Sequence, residues 1–113
     1  MPIDKKLISG NTSMLLLQLL SEKEMYGYEI IETLSKRSCS LFELKAGTLY
    51  PLLHTLEAEG HLISYEKEVA GKIRKYYQIT QKGQKNLAKK KKEWSDYTKA
   101  VSQVIGGNAY ANG

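Results

Sequence analysis

The end of the chain carries apolar side chains at a seven-residue interval, and this pattern constrains the fold more than any other feature. The stripe consists of Leu87, Trp94, Tyr97, Val101 and Val104, with Lys90 at one seam position. Thr80 suits a helix cap before it, so the pattern predicts one helix over residues 81–105. Such a helix is about 37 Å long. A body built from the rest of this chain is too small to cover it, and the stripe therefore predicts a homodimer interface.

Hydrophobic periodicity predicts three helices and a β-hairpin before that helix. The helices are expected over residues 12–21, over residues 26–37 and from Gly47 or Thr48 to a stop at Gly60, and the strands over residues 62–67 and 72–79. Pro51 sets the start of the third helix, because proline is tolerated in the first turn. The order α-α-α-β-β-α predicts a mainly α fold with a small β-hairpin (α+β), a winged helix-turn-helix. Residues 1–79 are expected to form the winged helix-turn-helix domain, 80–105 the dimerisation helix and 106–113 a flexible tail.

The charge of the chain is distributed unevenly. Its 113 residues carry 17 basic and 12 acidic side chains, and the basic ones concentrate between Val69 and Lys92, a stretch without Asp or Glu. This asymmetry favours a polyanionic partner, most simply double-stranded DNA. A run of charge is also typical of a solvated helix face, so charge alone does not decide between the two.

Composition and motifs disfavour several other classes of protein. The longest apolar run, Met14–Leu17, is too short to span a membrane, and residues 1–11 lack the features of a signal peptide, so we expect a cytoplasmic protein with no membrane partner. A single cysteine, Cys39, excludes an intrachain disulfide. His54 and His61 have no third strong ligand nearby in sequence, so neither a metal nor a cofactor is predicted. No catalytic signature is present, which predicts a protein that is not an enzyme.

The third predicted helix has an uncharged face opposite its leucines, and this face suits contact with DNA. The candidate DNA-binding residues on it are Thr48, Tyr50, Pro51, His54 and Thr55. Thr48 fits a helix cap equally well. The hairpin adds Lys72, Arg74 and Lys75, and strand alternation places Lys75 on the opposite face from the other two. The alternative interpretation of the helix face is an ordinary polar surface.

Three sequence motifs carry a family resemblance. Residues 26–30 read YGYEI, residues 47–60 read GTLYPLLHTLEAEG and residues 74–83 read RKYYQITQKG. In this order and at this spacing they resemble the PadR family of winged-helix transcriptional regulators. The resemblance covers about residues 7–105. Within the family, the chain resembles the subgroup with one short C-terminal dimerisation helix. It implies a homodimer that binds an inverted-repeat operator and usually represses.

The resemblance also implies a candidate ligand site. Some members of that subgroup bind flat aromatic drugs between paired tryptophans of the last helix, and Trp94 resembles that position. A planar aromatic effector would then contact Trp94 and Tyr97. Packing in the dimer seam explains Trp94 equally well. The alternative function for the whole chain is a winged-helix dimer that binds small molecules or proteins without binding DNA.

Overall fold

The computed structural model describes the backbone of residues 5–106 and the side chains from Asn11 onward. Within these residues the elements are α1 (Lys5–Glu22), β1 (Met25–Tyr26), α2 (Gly27–Arg37), α3 (Ala46–Ala58), β2 (Leu62–Val69), β3 (Lys72–Ile79) and α4 (Gln81–Ile105). The strands form one antiparallel sheet in the order β1-β3-β2. The α+β winged-helix fold is confirmed, and the expected tail beyond Gly106 lies outside the described residues.

One hydrophobic core lies between the first three helices and the inner face of the sheet. Its largest fully buried apolar side chains are Leu16, Leu17, Ile30, Leu49, Leu53, Leu62 and Tyr77. Burial of a side chain of this size contributes about 1.5–3 kcal/mol before the entropy of ordering it is subtracted. The leucines of α1 are therefore core residues of a single protomer, and α1 packs against α2, β3 and α4.

The capping signal predicts that the first helix begins at Thr12. In the structure, α1 begins at Lys5. Thr12 is 2% exposed and lies inside the helix. Threonine is a common cap, yet its propensity for a helix interior is only slightly below that of other residues, and tertiary packing overrides so small a preference. The predicted start is wrong for that reason.

The helix α3 also begins earlier than predicted, at Ala46, so Pro51 lies in its second turn. The proline removes one hydrogen bond to the carbonyl of Gly47 and leaves the helix otherwise continuous. Lys45 is the N-cap residue and makes no side-chain cap, which corrects the interpretation of Thr48 as a cap. The end of the helix is as predicted. Gly60 has φ +83°, and its N–H donates to the carbonyl of Glu57 at 3.0 Å, the left-handed helix stop that glycine favours.

The hairpin is longer and its turn tighter than the sequence predicts. The strands β2 and β3 are joined by Ala70 and Gly71, which both have positive φ (54° and 80°), as in a type I′ turn. Alternation groups Ile73 with Tyr77 on the core face, but Ile73 is 69% exposed. The twisted hairpin carries its tip beyond the helices, so no element within residues 5–106 covers Ile73.

The first part of α4 belongs to the same core. The Thr80 hydroxyl accepts a hydrogen bond from the N–H of Gly83 at 3.0 Å, as predicted for a cap. Gly83 itself lies against the backbone carbonyl of His61, where a Cβ atom has no room. Leu87, predicted in the dimer interface, is 6% exposed and packs in the core of its own protomer. The structure therefore places Leu87 inside the chain and removes it from the surface offered to a partner.

Candidate nucleic-acid interface

The helix α3 presents a continuous polar face to solvent. Leu49, Leu53 and Leu56 are buried on its inner side, and the outer side exposes Thr48, Pro51, His54 and Thr55. The hydroxyl of Thr55 donates to the carbonyl of Pro51 at 3.0 Å, so this side chain lies along the helix surface. The exposed face carries hydrogen-bonding groups without long charged chains, which suits a helix that enters a major groove.

Tyr50, the fifth candidate on this helix, points to one side of the exposed face. It is half-buried against the core, and its ring contacts Gly27 at the start of α2 so closely that a Cβ at Gly27 would overlap it. Because Gly27 has no side chain, α3 can pack closely against the N-terminal end of α2. Tyr50 has a structural role in addition to any contact with DNA.

The hairpin β2–β3 places its basic side chains on two faces. Lys75 lies on the inner face, with its Nζ 5.7 Å from the ring centre of Tyr77, and Lys72 and Arg74 lie on the outer face. Lys72 and Lys75 are exposed. The Arg74 guanidinium stacks 4.3 Å from the ring centre of Tyr26, so this predicted DNA contact is already engaged within the chain. The two lysines are the freer cations of the wing.

The outer face of the sheet holds the wing in place. Tyr76 is flanked by Tyr26 and Tyr65, with ring centres 5.5 Å and 6.2 Å away. The Tyr65 hydroxyl donates to the Glu24 carboxylate, and Lys67 Nζ pairs with the same group at 3.0 Å. The hydrogen bond between Lys67 and the Glu24 carboxylate raises the pKa of Lys67. These contacts tie the hairpin to the short strand β1, which no sequence pattern indicated because two residues are too few to show alternation.

A cleft of about 420 Å³ separates the wing from α3. Its walls include Tyr50 of α3, Tyr28 of α2 and the wing residues Lys72, Ile73 and Lys75. Tyr28 is 68% exposed and Ile73 is 69% exposed, so both present apolar surface beside the two lysines. Sequence reasoning missed these two residues, because strand alternation groups Ile73 with the buried Tyr77 and no pattern singles out Tyr28.

The second half of α4 extends from the body as an exposed apolar stripe. Trp94, Tyr97 and Val104 are 39%, 60% and 85% exposed, and Val101 is half-buried. The rings of Trp94 and Tyr97 lie 6.1 Å apart at 32°. Adjacent exposed aromatic and branched side chains of this kind are typical of a surface that another chain covers.

The polar helix beside a basic hairpin defines a winged helix-turn-helix protein, and comparison with known proteins gives the family. Residues 16–89 match the model of the transcriptional regulator PadR-like family, and the chain belongs to this family. Members of the family are transcriptional regulators and not enzymes.

Three relatives illustrate the match. The transcriptional regulator Rv3488 of Mycobacterium tuberculosis is 30% identical over 82% of this chain and 81% of its own length. A transcriptional regulator of Clostridium thermocellum is 34% identical, with a TM-score of 0.83 over 89% of this chain and 96% of its own. A PadR family regulator of Eggerthella lenta is 32% identical, with a TM-score of 0.78 over 88% of this chain and 86% of its own.

The helices within residues 5–106 differ from membrane-spanning segments. None of them combines the length and the apolar character that a membrane span requires.

Proposed function

We propose that this chain is a sequence-specific DNA-binding repressor that acts as a homodimer on an inverted-repeat operator. The observation that carries the proposal is the exposed, uncharged face of α3, which lies beside a hairpin whose tip bears exposed lysines. The alternative is a winged-helix dimer that does not bind DNA. It does not explain why a polar helix face lies beside a basic wing.

In the proposed complex, α3 enters the major groove. His54 and Thr55 contact base edges, and Thr48 and Pro51 approach the sugar-phosphate backbone, with Tyr50 at the side of the helix. Lys72 and Lys75 neutralise phosphates from the wing, and Arg74 contributes mainly by fixing the wing on Tyr26. The base contacts supply specificity, and the wing supplies affinity that depends on salt.

The stripe Trp94, Tyr97, Val101 and Val104 is the proposed dimer interface. Two copies of α4 would cover these side chains and place two recognition helices at a fixed separation. On this proposal residues 1–79 read DNA and residues 80–105 dimerise, although Gly83 and Leu87 anchor the second unit in the core of the first. A shift of α4 would therefore reach the DNA-reading body directly.

The same helix is the proposed site of a planar aromatic effector. Paired Trp94 side chains near the dimer axis would form a slot, with Tyr97 beside each indole. Trp94 is the only tryptophan of the chain, so its fluorescence reports on this site alone. We expect saturable quenching by a planar aromatic compound together with weaker operator binding. If Trp94→Ala still responds in full, Trp94 packs the seam and the effector part of the proposal fails.

The test of DNA binding uses a fluorescent duplex from upstream of the protein's own gene and a random duplex of equal length. We expect tighter binding to the upstream duplex, with a steep dependence on salt. His54→Ala should reduce the preference for the upstream duplex by about 1–3 kcal/mol and leave binding to the random duplex unchanged. If neither duplex binds at low salt, the alternative function is correct.

A further inference from the structure

A second cleft lies on the other side of α3, between this helix, α1 and the first half of α4. Its volume is about 540 Å³, and its polar lining consists of Ser13, Thr55, Glu59, His61, Lys82, Asn86 and Lys90. None of these residues except Thr55 has a place in the function proposed above. The cleft is open to solvent on the same side of the molecule as Thr55, which is exposed.

The two clefts border opposite flanks of the recognition helix. Tyr50 lines the cleft at the wing and Thr55 lines the cleft at α4. Five residues of an α-helix correspond to a rotation of about 140° between these side chains. The exposed face with Pro51 and His54 lies between them. A ligand wrapped around that face would therefore meet the wing on one side and α4 on the other.

The α4 side of the cleft is cationic. Lys82, Asn86 and Lys90 follow one another at intervals of four, so they form one row along the helix. Among the described side chains, neither Lys82 nor Lys90 forms an ion pair, whereas Lys92 on the same helix pairs with Asp96 at 2.8 Å. Glu59 is the acidic group at the rim, and its carboxylate lies 3.5 Å from Nδ1 of His61. The two lysines together outweigh this single carboxylate.

A DNA duplex presents phosphates on both flanks of a helix inserted in its major groove. The major groove is about 12 Å wide and is bounded by two phosphate backbones. A helix in that groove brings one backbone to each of its sides, and the wing can neutralise only the backbone on its own side. The cleft at α4 offers two amines, an amide and the hydroxyl of Ser13 on the flank that would face the other backbone.

We propose that this cleft binds a backbone phosphate of the second DNA strand, so that Lys82 and Lys90 of α4 and the lysines of the wing hold the two sides of one major groove. The inference rests on the proposed DNA binding and adds a second phosphate site to it. It also gives α4 two tasks, because its first half contacts DNA and its second half contacts the partner chain.

The test compares two double variants of the full chain with equal net charge. Lys82→Gln with Lys90→Gln removes the amines of the cleft. Lys85→Gln with Lys99→Gln removes two exposed amines of the same helix that do not line it. For the first pair the slope of log K against log salt should fall by about 1.8, which is about 0.9 for the one phosphate lost from each of the two clefts of a dimer, and affinity for the upstream duplex should fall by up to about 60-fold at 0.1 M salt. The control pair should change affinity less than about threefold.

Two further measurements make the outcome decisive. Glu59→Gln removes the carboxylate from the rim and should tighten DNA binding, which checks the cleft with a variant that retains both lysines. Inorganic phosphate at constant ionic strength should compete for the cleft, and should therefore weaken duplex binding by the unaltered protein more than by the variant that lacks Lys82 and Lys90. If the two double variants weaken binding equally, or if free phosphate affects both proteins equally, the inference is overturned while DNA binding by α3 stands. If the unaltered protein binds no duplex, the proposed function fails instead.

Discussion

The helices α3 and α4 both carry apolar residues at helical spacing, and they use them in opposite ways. Leu49, Leu53 and Leu56 of α3 are at most 3% exposed, so its apolar side is satisfied within the chain. Beyond Leu87, α4 keeps Trp94, Tyr97 and Val104 in solvent. The outward side of α3 is polar, whereas the second half of α4 exposes an apolar stripe.

This difference shows what each helix is available to contact. A buried apolar face with a polar surface leaves α3 free to meet a hydrated, charged partner such as DNA without exposing hydrophobic area. An exposed apolar stripe is costly in water and is stabilised when a second chain covers it. The boundary between these behaviours lies inside α4, near Lys90, and the following variants test that boundary.

Removal of the second half of α4 has the largest expected effect. A chain that ends at Lys90 should lose the dimer altogether, because it lacks every exposed member of the stripe. A chain that ends at Ile105 is the control and should stay dimeric. Sedimentation equilibrium measures the mass of both. A well-folded dimer of the shorter chain would contradict the assignment of the interface.

A milder variant separates dimerisation from folding. Val104→Asp places a charge in the proposed interface, and the two copies in one dimer should weaken association by about 3–5 kcal/mol. Val104 is 85% exposed in the protomer, so the fold should survive. Gln103→Asp adds the same charge on the other side of the helix and should leave the dimer intact. Equal dissociation of the two variants would show that charge, and not the stripe, controls assembly.

The first half of α4 should behave like α3. Leu87→Ala removes a buried side chain from the protomer core and should lower the free energy of unfolding by about 2–5 kcal/mol. Lys89→Ala, two residues further on and exposed, should change it by less than about 0.5 kcal/mol. Urea unfolding monitored by circular dichroism measures both. A small loss of unfolding free energy for Leu87→Ala would instead support a place for this side chain in the dimer interface.

The close crossing of α3 over α2 can be tested with two glycines. Gly27→Ala forces its new Cβ against the ring of Tyr50 and should destabilise the fold by about 1–3 kcal/mol. Gly47→Ala meets no atom within 4 Å and should stabilise α3 by about 0.4–1 kcal/mol. Thermal unfolding of the two variants should therefore shift in opposite directions. A shift in the same direction would show that Tyr50 moves away without cost.

The smallest expected effect concerns Arg74. Its stacking on Tyr26 is worth about 0.5–1 kcal/mol at a partly exposed site. Arg74→Ala should therefore lower stability by that amount and change the salt slope of DNA binding less than Lys72→Ala, which should lower the slope by about 0.9 for each protomer of the bound dimer. A larger slope change for Arg74→Ala would mean that the guanidinium leaves Tyr26 to contact phosphate.

Strong local signals predicted most of the fold. The leucine spacing of α3, the stop at Gly60 and the cap at Thr80 each depend on residues near one another in sequence, and each is present in the structure. The strand β1 could not be predicted, because it exists only through its pairing with Tyr76 and Tyr77. The start of α1 was misplaced because packing of Thr12 overrides its capping preference.

The site was less predictable than the fold, because helical spacing does not specify which partner covers a face. Leu87 and Trp94 occupy equivalent positions of one seven-residue repeat, yet only Leu87 meets the chain's own core. The basic residues of the wing were visible in the sequence, but the engagement of Arg74 by Tyr26 depends on residues 48 positions apart. The exposure of Ile73 depends in the same way on how far the hairpin reaches beyond the helices.

A footprint of the full chain on DNA from upstream of its own gene tests the central claim most directly. A homodimer that reads DNA with α3 should protect two half-sites related by inverted repetition, with centres one helical turn or a multiple of it apart. His54→Ala should weaken the protection at a protein concentration that just saturates the unaltered site. A single protected site without symmetry, or no protection at low salt, would contradict a dimeric repressor with α3 as its recognition helix.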